Sequence, residues 1–167
     1  MLERILVAYD GSHHSRHACD LGVEVAGRFA ASLTMVVVRP PNPDGVDDTL
    51  EDLVPAAEGG RTFADAIDEI RRRATARGAR RVDVVYLRGE ALEQILGWLR
   101  THPQDLVVVG SRGLSRGRRI LMGSVSSGLV SDAPCPVLVV RGHAGARAHG
   151  KMPSPPAPAA PPTVPNP

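Results

Sequence analysis

The sequence predicts a doubly wound α/β domain, an open five-stranded parallel sheet with helices on both faces. Three observations carry this. Short runs rich in Val, Leu and Ile recur along the chain, and segments with a helical apolar period lie between them. The runs are apolar throughout rather than alternating, which is the pattern of strands covered on both sides. The connections are long enough for right-handed helical crossovers, which parallel neighbours require.

Each element has its own reason. Residues 4–9 form a short apolar strand. Residues 12–30 place Ala18, Leu21, Val25, Ala26 and Phe29 at a helical period, with Ser12 as N-cap. Residues 33–38 are β-branched and apolar, hence a buried strand. Residues 62–77 set Phe63, Ala66, Ile67, Ile70 and Ala74 on one helix face, and Gly78 ends that helix. Residues 82–87 read as a strand. Residues 91–101 read as a helix with Leu92, Ile95, Leu96 and Leu99 inward. Residues 106–109 are a strand and residues 110–123 a glycine-rich loop. Residues 124–131 start a helix and residues 137–140 are the fifth strand.

Two segments differ in texture. Residues 40–60 hold four prolines, three glycines and many acids, and read as a long loop with a short helical turn at residues 49–53. Residues 142–167 hold 8 of the 15 prolines and almost no large apolar groups. Such a segment buries too little to offset its ordering entropy, so a disordered tail is expected after a domain spanning residues 1–141.

Composition removes several classes. The 20 basic and 18 acidic side chains give a net charge of +2. Residues 142–167 contribute Arg147 and Lys151 and no acid, so residues 1–141 carry no net charge. That balance gives no ground for a nucleic-acid partner. Two cysteines, Cys19 and Cys135, exclude a disulfide framework. No apolar run reaches the ~18 residues that a membrane span needs. Met1-Leu2-Glu3-Arg4 leads straight into the first strand without a secretory signal, so the expected compartment is the cytoplasm.

Ligands in doubly wound sheets sit beyond the carboxyl ends of the strands. Asp10-Gly11-Ser12, Val38 and the loop after Val109 occupy those positions. In that loop Gly110 and Gly113 are followed, nine residues later, by Gly123-Ser124. Glycines let backbone approach a ligand closely, and a helix opening at Ser124 offers free N–H groups and a positive dipole end to an anion. Ser124 and Ser126 add hydroxyls. Taken alone, the glycines also fit a flexible connection, and Asp10 also fits an ordinary turn. The loop is not a P-loop, since no Gly-Lys-Ser/Thr follows, and its spacing is not that of the dinucleotide fingerprint.

With these residues in view, the stretch GSRGLSRGRRILMGSVSSGLVSDAPCPVLVV, residues 110–140, resembles the signature region of the universal stress protein family. Its nucleotide-binding branch has the pattern Gly, two residues, Gly, nine residues, Gly-Ser/Thr. Gly110, Gly113, Gly123 and Ser124 match at every position. The opening ILVAYDGS, Val38 and Gly89 are similar to the family too, and the likeness covers about residues 3–141. The proline-rich tail is a departure that the family does not require.

The resemblance implies a fold of the adenine nucleotide alpha hydrolase type and a stress-response module that binds ATP with Mg²⁺. It implies Ala8, Tyr9 and Val38 around the adenine and Asp10 at the ribose or a metal-linked position. Val109 and Gly110 would line the nucleotide, with Gly113 by the ribose and phosphates. Gly123, Ser124, Val125 and Ser126 would hold the phosphate chain. A homodimer through the last strand is also implied. No nucleophile and base stand out together, so no catalytic residue is assigned, and a metal ligand set is left unassigned. The alternatives are a slow ATP hydrolase, with Asp10 and Mg²⁺ positioning water, and a sensor of another adenine nucleotide such as cyclic AMP.

Other features have plain readings. His13 and His17 lie four apart on a helix face, with His14 beside them, but no further metal ligand is evident. Arg71, Arg72, Arg73, Arg77, Arg80 and Arg81 follow Asp65, Asp68 and Glu69, as on a solvated helix face with local ion pairs. Arg112, Arg116, Arg118 and Arg119 sit within the glycine loop, where they either screen phosphate charge or keep the loop soluble. Both cysteines read as structural.

Overall fold

The computed structural model describes residues 1–39, 62–113 and 122–142. The strands are β1 (Arg4–Ala8), β2 (Ser32–Arg39), β3 (Arg81–Arg88), β4 (Leu106–Gly110) and β5 (Val137–Val140). The helices are α1 (His13–Phe29), α2 (Phe63–Ala76), α3 (Ala91–Thr101) and α4 (Ser124–Asp132). The expected turn at residues 49–53, the middle of the glycine loop and the tail from residue 143 lie outside the described residues.

The strands pair in the order β3-β2-β1-β4-β5, all parallel. The chain winds outward from β1 to β3, then crosses back to β4 on the other side of β1. The order therefore reverses between β1 and β4, and their carboxyl ends open a crevice there.

Period-two side chains of the strands feed two layers. Ile5, Val7, Leu33, Met35, Val37 and Val108 pack under α1 and α2 with Ala18, Val23, Ile67 and Ile70. Leu6, Val36, Val107 and Val109 pack on the opposite face with Ile95, Leu99 and Leu129 of α3 and α4. Burial on both faces explains why these strands read as unbroken apolar runs.

The helix starts follow from their caps. Ser12 caps α1, its side chain accepting from the Ser15 N–H. Thr62 and Asp65 form a reciprocal capping box on α2. Each end is thereby fixed where the apolar period begins.

The buried stripe of α1 corrects the expectation from periodicity. Ser15, Ala18, Cys19, Gly22, Val23 and Ala26 are buried, whereas Leu21 and Val25 are only half-buried and Phe29 is 54% exposed. Small residues, rather than the large ones, bring this helix onto the sheet. A Cβ on Gly22 would collide with the Val7 side chain.

The arginine run carries ion pairs, Arg71–Asp68 at 3.4 Å, Arg72–Glu69 at 2.7 Å and Arg73–Asp20 at 2.7 Å. The first two link neighbouring turns of α2 and the third ties α2 to α1. Exposed pairs of this kind contribute about 0–1 kcal/mol each.

Candidate functional site

β1 ends in a tight turn. The Asp10 carboxylate accepts the Ser12 N–H at 2.9 Å, and Gly11 has φ of 77°, a left-handed value that favours glycine. The Asp10 N–H lies 3.4 Å from the Ser15 hydroxyl, which donates to the Ser12 carbonyl at 3.0 Å. These bonds hold the start of α1 and the Asp10 side chain as one unit. One carboxylate oxygen, Oδ1, is committed to the turn.

The other oxygen faces the glycine loop. A Cβ on Gly113 would lie 2.7 Å from Asp10 Oδ2. A side chain at this position would have to displace the Asp10 carboxylate.

The loop is pinned on both sides. The Ser111 N–H donates to the Val140 carbonyl at 2.7 Å, and the Gly123 N–H donates to the Ser111 carbonyl at 2.8 Å. The buried Ser126 hydroxyl stands 3.2 Å from the Ser111 carbonyl and 3.0 Å from the Gly123 carbonyl. Ser126 thus ties the loop to the first turn of α4 with its hydroxyl.

α4 opens without a side-chain cap, since Gly123 is its N-cap. The first intrahelical bond runs from the Ser127 N–H to the Gly123 carbonyl. The N–H groups ahead of it have no helical partner, and together with the dipole they make this end attractive to an anion.

These parts meet at one half-open cleft at the carboxyl ends of β1 and β4. Ala8, Tyr9, Asp10 and Val38 line one part, Val109, Gly110 and Gly113 another, and Gly123, Ser124, Val125 and Ser126 the third. The eleven residues that the resemblance assigned to the nucleotide thus all line one cavity.

Others line it without having been singled out as site residues. Val36, Ile95, Ala91, Ser15 and Arg112 also line the cleft, Val36 and Ile95 adding apolar surface. Arg112 was visible as a loop arginine. Val36 and Ile95 carried no signal beyond their core character.

Electrostatics divides the cleft. Burial pushes the Tyr9 phenol up to about 12, and its ring packs 5.6 Å from that of Phe63, so it is a neutral wall. Burial first, then the neighbouring His13, Arg112 and His17, hold His14 below the ordinary imidazole value. Burial pushes the Cys19 thiol up to about 12, which makes it a packing group and not a nucleophile.

The fold is that of the adenine nucleotide alpha hydrolase-like α/β proteins. The chain belongs to the universal stress protein family, whose sequence profile matches residues 1–141. A universal stress protein of Thermus aquaticus, named for the 3′ region of a QAH/OAS sulfhydrylase, is 34% identical over 142 residues, covering 84% of this chain and all of that one. UspA of Lactobacillus plantarum superimposes with a TM-score of 0.68 at 28% identity, over 83% of this chain and 97% of that one. A universal stress protein in complex with cAMP superimposes with a TM-score of 0.64 at 25% identity, over 84% and 98%. Among the described residues, no helix is long and apolar enough to cross a membrane.

Proposed function

We propose that the cleft binds ATP with Mg²⁺ and that the protein is a nucleotide-responsive stress module. One observation carries this reading, the first turn of α4. It opens uncapped onto a cavity whose other end presents the Asp10 carboxylate. An apolar floor, a carboxylate and a phosphate cradle in sequence match the parts of a nucleotide.

Ala8, Val38 and the Tyr9 backbone surround the base, with Val36 and Ile95 beneath it. Asp10 Oδ2 accepts from the ribose hydroxyls, while Gly113 leaves room for them. Val109 and Gly110 flank the sugar. The N–H groups of Ser124, Val125 and Ser126, beside Gly123, hold phosphate oxygens, and Arg112 adds positive charge. Bound Mg²⁺ would supply charge neutralisation between phosphates and Asp10.

The module binds rather than turns over. Among the described lining residues Asp10 is the one carboxylate, and no base stands beside a nucleophile. The cyclic AMP reading is favoured by the related complex with that ligand. A cyclic monophosphate would leave most of the α4 cradle unused.

Calorimetry separates these readings. Mg²⁺–ATP is expected to bind in the micromolar range, near −8 kcal/mol, and more tightly than cyclic AMP. Tighter cyclic AMP binding would replace ATP with the alternative. Single-turnover hydrolysis is expected near background. A parent rate of ~1 s⁻¹, lost in Asp10→Asn although ATP still binds, would make the protein a hydrolase.

The same reading carries a homodimer through β5. That strand is an edge of the sheet, and Leu138 on it is 37% exposed. An apolar edge strand needs a cover. Sedimentation at twice the monomer mass, returning to one in Leu138→Lys, is the expected result; a monomeric parent would contradict it.

A further inference from the structure

α1 carries a second constellation, separate from the nucleotide reading. His13 and His17 are one turn apart on the same face, and their Nε2 atoms stand 3.2 Å from each other. The ring centroids are 4.5 Å apart at 75°. Two imidazole nitrogens bound at 2.0–2.1 Å to a tetrahedral ion sit about 3.3 Å apart. One ring donating to the other accounts for this distance, and it is also close to the spacing that a shared ion would impose.

His13 is exposed and His17 half-buried, and the chain leaving β5 passes against both rings. A Cβ on Gly142 would lie 2.6 Å from His13 Nδ1 and 3.1 Å from His17 Cδ2. Glycine at this position lets the backbone reach the rings, and the contact limits the rotamers that would pull the nitrogens apart. Paired histidines four residues apart on a helix are also the spacing that helical zinc sites use.

We propose that His13 and His17 form a two-imidazole site for a divalent late transition-metal ion of the zinc class. Among the described residues no cluster of three His, Cys, Asp or Glu ligands exists, and the remaining coordination positions are left to water or to groups outside the described residues. Imidazole suits Zn²⁺, Cu²⁺ and Ni²⁺, and leaves Mg²⁺ to oxygen ligands. This site therefore does not compete with a Mg²⁺–nucleotide for its ion.

The test is calorimetric titration of the full chain with zinc chloride in the absence of nucleotide. Parent protein, His13→Ala, His17→Ala and His102→Ala are compared, with circular dichroism to check that each is folded. Alanine favours helix, so both positions in α1 should retain it. Saturable binding below millimolar zinc is expected in the parent. It should weaken at least tenfold in both His13→Ala and His17→Ala, and stay unchanged in His102→Ala. The absence of parent binding, or a loss smaller than tenfold in either α1 variant, would overturn the paired site. Loss in His102→Ala would do the same.

Discussion

Gly123→Val is expected to weaken ATP binding at least about 100-fold, or about 2.7 kcal/mol, while the fold survives. Gly123 has φ of −72° and ψ of 163°, an extended conformation that a β-branched residue adopts readily. A Cβ there meets its nearest neighbours, Arg112 Cα and the Ser111 carbonyl, at 3.6 Å, an ordinary contact. An added Cβ therefore fits the protein. On the proposed reading the valine methyl groups would crowd the phosphate in front of α4. The stability cost should be about 1 kcal/mol, since valine is a poorer N-cap than glycine. Calorimetry and thermal melts on one preparation check both halves. A variant that binds like the parent would place the anion elsewhere.

Gly110→Ala is expected to do the reverse, striking the fold first. Its Cβ would lie 2.7 Å from the His14 carbonyl carbon, 2.8 Å from the Ser15 nitrogen and 2.9 Å from the His14 oxygen. All three are backbone atoms in the first turn of α1, which cannot swing aside as a side chain does. Overpacking of this kind costs about 1–3 kcal/mol, and the upper end is expected here. For a domain of this size that lowers the melting temperature by roughly 6–12 °C. Displacing this turn also moves Ser12 and Ser15, which hold Asp10, so nucleotide affinity should fall with stability. An unchanged melting temperature would mean that β4 and α1 are not seated this closely.

The contrast between these glycines shows what periodicity and spacing convey. The spacing from Gly110 to Ser124 treats its glycines alike, yet they do different work. Gly110 admits a helix to the sheet, Gly113 admits Asp10, and Gly123 opens α4. Spacing alone does not separate these roles, because each depends on a neighbour distant in the chain. The Gly113–Asp10 approach joins residues from the ends of β4 and β1, which become neighbours only when the sheet order reverses between those strands.

The strands were legible because burial on both faces leaves nothing to alternate. α2 and α3 were legible because their apolar period matches the face they bury. α1 was legible as a helix but not in its rotation. Ala18, Gly22 and Ala26 recur every four residues and carry its contact with the sheet, while Phe29 at its last turn stays exposed. Counting large apolar groups misses a helix that packs through small ones. The cleft floor was hidden for a related reason. Val36 and Ile95 belong to the core by type, and only their position under the opening makes them part of the site.

The most direct test of the account follows the backbone amides of isotopically labelled protein by two-dimensional NMR during titration with Mg²⁺–ATP. The account predicts saturable shifts at Asp10, Val38, Gly110 and Gly113 and the largest ones at Ser124, Val125 and Ser126. No shifts at millimolar Mg²⁺–ATP, or shifts gathered away from the carboxyl ends of β1 and β4, would contradict it.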